Sequence, residues 1–531
     1  MKIGATGLWR RREAAEVRPF DRLAAFAVAG AGAASALRFA DWWFRDDHVS
    51  NAPLFVALSL AFWYGIGRIA LGWINYAAIR KPPRQDAPRG WRVAIFTTSS
   101  RGEPPGMFDV TLAACARIAY PHATYLLDDS GDPRVAALAA RHGAVHMALV
   151  GLPGAKAGKI NRALELTDEE FVLVLDPDHI PFPEFLDRVL GYFGDPCVGF
   201  VQVAQAYYNQ SRSFTARAAA EQTYAFYGPG QMGLFGHGAA VAIGANCTFR
   251  RAALTSVGGH AIGLAEDLLT AIRLHAQGWR SIYVPEIISR GLVPEDLGTF
   301  YRQQLKWSRG VFEVLFAEVP RLFRRLRWRQ RLSYLAIGTY YLFGATTAVY
   351  LVLPYIYLWT GAQPANMPFA GLVVAGAPVA IVGSASYVLS QRWFCDPSTE
   401  RGVHWRGLVL KWAAWPVVLA GTLLAIFRAD VPYVPTRKQG TRGAFLPLAW
   451  PQLLLCTIFG VTLVHIIDRR MVGGADPSLE LSSEAVWGMV AFAAVPVAAA
   501  VMTLRAAWQA RHPPAGAAWD DVDVERIGGH P

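Results

Sequence analysis

Cysteine is scarce in this chain. Five residues in 531, Cys115, Cys197, Cys247, Cys395 and Cys456, lie far apart and form no Cys-x-x-Cys pair. That spacing argues against a disulfide framework and a cysteine zinc site, and it places the soluble part in a reducing compartment. Charge is scarce as well: Asp, Glu, Lys and Arg make up 17% of the chain, against 53% hydrophobic residues and a mean hydropathy of +0.24. A chain this long and this apolar is neither one ordinary domain nor wholly soluble, which leaves an integral membrane protein with a large soluble part. Acids are fewer than bases, and the net charge is +11. The basic residues cluster beside apolar segments, as the positive-inside rule places them, so the excess marks topology and not nucleic acid. No internal repeat is found.

The present residues divide the chain. Lys2, Arg10, Arg11, Arg12, Arg18 and Arg22 precede an apolar segment from about Leu23 to Phe39. A second segment, from Leu54 to about Ile79, follows and argues for a retained helix pair over a cleaved leader. Asp41, Asp46 and Asp47 mark the loop between them as external, and Arg80-Lys81-Pro-Pro-Arg84 marks a return to the inside. The expected plan is residues 1–85 as this basic segment with two helices, 86–318 as a cytoplasmic domain, and 319–333 as an amphipathic interfacial helix. Residues 334–508 then supply further helices and 509–531 a disordered polar tail. The segment 408–427, with Lys411 and Pro416, is read as interfacial so that the basic loops stay inside; this gives six spanning helices.

Between Trp91 and Arg290, strand-like runs alternate with helical ones, the pattern of an α/β domain. Strands are expected at 93–98, 124–127, 171–175 and 198–203. Two of them run directly into acids, Asp128-Asp129 and Asp176-Pro-Asp178, and ligands of open α/β sheets bind outside the carboxyl ends of strands. Residues two apart on an extended chain point the same way, so Asp176 and Asp178 suit one divalent cation holding a diphosphate. An Asp-x-Asp is also an ordinary turn, and Asp128-Asp129-Ser130 an ordinary helix cap. At the same sheet edge, the latter pair suits the base and ribose of a nucleotide. Glu266-Asp267 opens a helix, where acids commonly answer the macrodipole; beside an acceptor hydroxyl, one is a general base. A helix from about Asp296 puts Gln303, Lys306 and Trp307 on one face, an amide, a cation and an indole that suit a sugar next to a phosphate. Lys156, in Gly154-Ala-Lys-Ala-Gly158-Lys159, lacks the phosphate-loop pattern. His237, His260 and His275 show no metal-ligand spacing and are read as solvated or structural.

Taken together and in order, Asp128-Asp129, Lys156 in its Ala-Lys-Ala-Gly turn, Asp176-Pro-Asp178, Gln202 and Gln205 in Phe-Val-Gln-Val-Ala-Gln, Glu266-Asp267 and Gln303-Gln-Leu-Lys-Trp307 resemble the processive glycosyltransferase family 2 enzymes. The likeness is greatest to the bacterial cellulose synthase catalytic subunit and extends to curdlan, chitin and hyaluronan synthases. It covers roughly residues 90 to 440, and Val431 to Lys438 is similar to that family's gating loop.

The resemblance implies an α/β glycosyltransferase A (Rossmann-like) cytoplasmic domain inserted in an α-helical transmembrane bundle of about six spanning helices plus interfacial helices. It implies a UDP-sugar donor, Mg2+ or Mn2+, a growing polysaccharide acceptor, membrane lipid, accessory export subunits and no nucleic acid, in a multi-pass protein of the bacterial plasma (inner) membrane. Residue by residue it puts Asp128 and Asp129 at the uridine, Lys156 at the nucleotide, and Asp176 and Asp178 at the metal-bound diphosphate. Gln202 and Gln205 fall near the acceptor channel, and Glu266, Gln303, Lys306 and Trp307 at the acceptor and diphosphate, with Asp267 as catalytic base. Departures are Ala265 for Thr, Lys306 for Arg, Ser130 for Gly, and Lys159 where Asn is expected. Lysine keeps the charge but loses the two-pronged contact. No cyclic-dinucleotide domain is expected after Leu504. One rival is a non-processive transferase adding one sugar to a lipid carrier, against which the four helices after the domain favour polymer export; another, a transporter whose soluble domain merely binds nucleotide, sits poorly with the few charges inside the apolar segments.

Overall fold

In a computed structural model of the chain, residues 8–429, 444–472, 483–512 and 514–527 are described. Seven strands form the central sheet: β1 (Val93–Ser99), β2 (Ala123–Asp128), β3 (Val145–Ala148), β4 (Phe171–Leu175), β5 (Val198–Val203), β6 (Cys247–Arg250) and β7 (Arg280–Val284). Their spatial order is β3-β2-β1-β4-β6-β5-β7. Strand β6 runs antiparallel to both its neighbours, and the remaining pairs are parallel.

Every residue of β1 and of β4 is buried. Because side chains alternate, Ala94, Phe96, Val172 and Val174 enter one core, while Val93, Ile95, Phe171, Leu173 and Leu175 enter a second on the opposite face. A sheet covered on both faces reads as continuous apolar runs, which is why these strands are visible in the sequence. The short β3, the antiparallel β6 and β7 lack such runs and fall outside the expected strands.

The chain leaves β1 for β2 and β3 on one side, then crosses back to β4 on the other. The order therefore reverses between β1 and β4, and the crevice at their carboxyl ends is where such sheets take ligands. Register places Ser99 opposite Asp128, and Thr97 opposite Leu175, the residue before Asp176.

Helices α1 (Pro19–Trp43) and α2 (Ala52–Ala77) precede the sheet; α3 (Pro105–Ala116), α4 (Pro133–Arg141), α5 (Ala155–Leu166), α6 (Phe214–Glu221) and α7 (Glu266–Ala276) interleave with its strands. After β7 come α8 (Leu297–Glu313) and the long, interrupted α9 (Trp328–Thr360). Then follow α10 (Phe369–Ser390), α11 (Trp405–Ala413), α12 (Trp415–Ile426), α13 (Phe445–Val472) and α14 (Ser483–Gln509). Among the described residues six helices are long and apolar enough to cross a membrane, two before the sheet and four after it. The pair α11 and α12 bends by 49° and would make a seventh only if it were one span. In place of one interfacial helix over 408–427 there are two short ones; α11 lies along α6, and α12 along α8.

Two expectations are corrected. The stretch 319–333 is not one amphipathic helix: a helical turn at Val319–Leu322 ends before Leu326, which is extended, 2% exposed and set in the main core. Burying Leu326 forces the break, and the helix restarts at Trp328. The tail is not disordered throughout, because Trp519 and Ile527 bury their apolar surface against α3 and its neighbours. The N-terminal basic segment is likewise docked, with Arg12 and Glu13 paired antiparallel to Ile287 and Glu286. The segment that resembles a gating loop, Val431 to Lys438, lies outside the described residues.

Candidate active site

The turn before α5 is built by Gly154, whose φ of +87° lies in the left-handed region that favours glycine. It tips Lys156 into the sheet crevice, where Nζ donates to Oδ1 of Asp176 at 2.5 Å and to the carbonyl of Gly244. One turn on, Lys159 stands where the resemblance leads to Asn. It is buried, and donates to the carbonyl of Ser99 at 2.6 Å and to Ser100 Oγ at 3.1 Å. Burial holds its ammonium below the usual lysine range. Lys159 thus closes the end of β1.

The acids at the strand ends behave differently from one another. Asp128 is 1% exposed and accepts from Ser99 Oγ, the Ser130 amide at 2.8 Å and Ser130 Oγ at 2.6 Å, with His146 Nε2 at 3.0 Å. Those hydrogen bonds hold its carboxyl below the usual range against the opposing effect of burial. Asp128 thus ties β1, β2 and β3 together at the end of the sheet. Its neighbour Asp129 is half-buried and accepts from the Gly151 amide at 2.9 Å. Asp176 and Asp178 lie across from Lys156 and are joined by His179. One ligand atom from each of the three lies within 4.8 Å of the others. Two carboxylates and an imidazole suit a hard divalent cation and leave sides open for phosphate oxygens.

His179 was not singled out in the sequence, although it follows Asp-Pro-Asp directly. It is 3% exposed, with Nδ1 3.3 Å from Asp178 Oδ1 and Nε2 3.0 Å from Gln205 Oε1. Gln205 also accepts from Asn246 Nδ2 at 2.8 Å, which orders the crevice wall. Gln202 does not reach the crevice. Its amide is fully buried, donating to the carbonyls of Val203, Ala245 and Asn246 and accepting from the Ile243 amide at 3.0 Å. It braces the loop carrying Gly244.

Asp267 begins α7 beside that loop; a side chain on Gly244 would start 3.3 Å from Asp267 Oδ2. Burial and then the charge of Glu266 push the Asp267 carboxyl up to about 7, against smaller opposing effects of the Leu268 amide, Lys306 and Lys156. Helix α8 is capped by Asp296, whose Oδ1 accepts from the Thr299 amide at 2.8 Å. It meets the start of α7 at Gly310, where an added Cβ would lie 2.8 Å from the Ala265 amide nitrogen. That close approach sets the Gln303, Lys306 and Trp307 face toward Asp267.

One cavity of about 1440 Å3 is lined by Lys156, Asp176, Asp178, Gln205, Glu266, Asp267, Gln303, Lys306 and Trp307. Its walls continue onto α1, α2, α9 and α11 through residues such as Phe26, Leu71, Ala336 and Leu408. Asp128, Asp129 and Gln202 do not line it.

A mixed sheet with acids at its switch point, a buried carboxylate of raised pKa and a cationic aromatic helix define a transferase-like site on a membrane bundle. Residues 171–464 match the profile described as Glycosyl transferase family group 2, and the chain belongs to that family. It is 28% identical over 514 residues to cellulose synthase 2 of Novacetimonas hansenii, spanning 90% of this chain and 31% of that protein. It is 30% identical over 331 residues to a UDP-forming cellulose synthase catalytic subunit of Komagataeibacter sucrofermentans, spanning 60% of this chain and 41% of the relative. The chain thus spans less than half the length of either. A solved mannosyltransferase of Pyrobaculum calidifontis shares 17% identity at a TM-score of 0.47, covering 71% of this chain and all of that one.

Proposed function

We propose that this chain is a membrane-embedded, processive, inverting glycosyltransferase. It polymerises glucose from UDP-glucose into a cellulose-like β-glucan and passes the product out between its apolar helices. The observation that carries this reading is the one cavity in which Asp267, the Asp176–Asp178 pair and the Lys306–Trp307 face meet and which runs on along α11 past Gly407, Leu408 and Lys411. The relatives' names, cellulose synthases and one UDP-forming subunit, supply the donor and product class. Basic flanks at Arg22 and at Arg80 to Arg84 support a cytoplasmic catalytic side in a bacterial inner membrane.

In this mechanism Asp267 takes the proton from the acceptor hydroxyl. The acceptor oxygen bonds to the anomeric carbon as the bond from that carbon to the diphosphate oxygen breaks, and UDP leaves with the electron pair. The proton stays on the Asp267 carboxyl, whose raised pKa suits it to receive one near neutral pH. Lys156 and Lys306 stabilise the departing charge. Asp176, Asp178 and His179 would hold Mg2+ or Mn2+, which supplies charge neutralisation at the diphosphate. Trp307 offers its ring face to the acceptor sugar, Gln205 borders the donor side, and Asp129, at the end of β2 outside the cavity wall, would meet the uridine.

The test is radiolabel transfer by the purified full chain in lipid nanodiscs from each UDP-sugar separately, followed by linkage-specific digestion. Insoluble product from UDP-glucose that an endo-β-1,4-glucanase releases is expected. An N-acetylglucosamine, glucuronate-containing, mannose or β-1,3-linked polymer would replace the sugar or linkage assignment. A single sugar added to lipid would overturn processivity, and no transfer from any donor would overturn the reading.

A further inference from the structure

The cavity has a second, membrane-level arm that the transfer chemistry does not use. It is lined by α2, by the first turns of α9 and by the short helix Gln231–Gly236 with His237 after it. The walls are tied at one end by Arg68, whose Nη1 donates to the Ala336 carbonyl at 2.5 Å and whose guanidinium lies 5.3 Å from the Tyr340 ring. Tyr64 donates to the Tyr340 carbonyl beside it at 2.7 Å. At the floor, Asn75 donates to the Gly230 carbonyl and Gln330 to that of Gly238, each at 2.8 Å. The arm is therefore a held-open slot and not a chance gap.

Arg22, Arg80 and Arg329 line this slot as exposed side chains, with the Arg329 guanidinium 5.2 Å from the Trp328 ring and no carboxylate paired with any of the three among the described residues. The lining contributed by α1, α2, residues 78–80, 236–237 and α9 contains no carboxylate. His237 sits on the floor with Nδ1 buried and without a hydrogen-bond partner. Burial, then Arg329, and more weakly Arg80, hold that imidazole below its usual range against a hydrogen bond with the Ile74 backbone. Phe26, Trp328 and Leu332 line the same arm yet remain 61%, 63% and 52% exposed, in helices apolar enough to lie in lipid. Unpaired cations above an exposed apolar wall, at the basic end of spanning helices, match an anionic amphiphile in charge and polarity.

We propose that the slot between α2 and α9 binds the phosphate headgroup of an anionic membrane lipid, with Arg22, Arg80 and Arg329 around the phosphate and the acyl chains along Phe26 and Leu332. This goes beyond the transfer reaction and does not depend on it. Bound lipid would brace α9 against α2 immediately after the catalytic helix α8.

The test is retention of phosphatidylglycerol against phosphatidylcholine by the full chain in mixed micelles, read by native mass spectrometry without any sugar donor. Selective retention of phosphatidylglycerol is expected, falling about fivefold for each cation removed in Arg80→Gln and Arg329→Gln. Arg329→Lys should restore most of it, and unchanged melting of the variants would show that they fold. Equal retention of the two lipids, or retention unaffected by the double variant, would overturn the proposal. Displacement of the lipid by UDP or inorganic phosphate would also overturn it, by assigning the cations to the donor. Because no transfer is measured, an inactive protein that still retains phosphatidylglycerol would count against the enzyme reading alone.

Discussion

Nζ of Lys156 lies 2.5 Å from Oδ1 of Asp176, so an ammonium already holds one of the two carboxylates proposed to face a donor diphosphate. Lysine and a divalent cation then share that carboxylate. Lys156→Met should strengthen Mn2+ binding, because a competing charge is gone. It should also weaken UDP binding by about tenfold or more, the usual worth of a hydrogen bond to a charged group. Titrating Mn2+ and UDP separately checks the opposite signs; a parallel loss of both would show that Lys156 only props the turn.

Asp267 gives a pH signature. A general base works only when deprotonated, and burial and Glu266 raise this carboxyl to about 7, so turnover should rise with pH through that value and fall away below it. Glu266→Gln removes a charge that raises the pKa and should move the limb to lower pH. Lys306→Met removes one that lowers it and should move the limb upward. Asp267→Asn should cost about a hundredfold to ten-thousandfold in rate with donor affinity nearly unchanged. Turnover independent of pH from 5 to 9 would exclude this carboxylate as the base.

Gly310 couples the two halves of the site by letting α8 touch the Ala265 backbone. Gly310→Ala adds a methyl 2.8 Å from that amide nitrogen, and backbone cannot rotate aside. The expected result is normal membrane insertion, a modest loss of stability of about 1–3 kcal/mol, and a drop in turnover of about a hundredfold, as befits a misplacement near 1 Å. Wild-type turnover would show that α8 is set by its other contacts.

Gln202 and Gln205 look alike in the sequence and should separate in the laboratory. Gln202→Leu strands the Ile243 amide and removes the amide donor from the Val203 and Ala245 carbonyls, while the Asn246 carbonyl keeps the Val203 amide; at about 1–3 kcal/mol per group left unsatisfied this should lower the melting temperature sharply. Gln205→Leu should leave melting nearly unchanged while weakening donor or metal binding through His179. A stable Gln202→Leu variant with impaired acceptor use would restore Gln202 to the channel.

How much of this was legible beforehand follows from periodicity and burial. The strands at 171–175 and 198–203 coincide with their expected bounds, since strands covered on both faces must be apolar throughout. The helix from Asp296 and its Gln303, Lys306 and Trp307 face were equally plain, because capping and three- and four-residue spacing are local. The division of labour between adjacent acids was not. Asp128 and Asp129 differ only in which way each side chain turns at the end of β2, and that direction depends on Ser99 and His146 from neighbouring strands. His179 was missed because a histidine beside two acids declares itself only when Gln205, from another strand, completes its contacts.

The sequence alone determined the class of molecule: apolar helices on either side of an α/β domain, acids at strand ends and a basic flank at each membrane entry, all products of local pattern and composition. Tertiary structure decided which of those acids line the cavity and which brace the sheet. It also docked the tail through Trp519 and broke the helix at Leu326. Those outcomes depend on burial against residues hundreds of positions away, and the free energy of such contacts has no signature in the local order of residues.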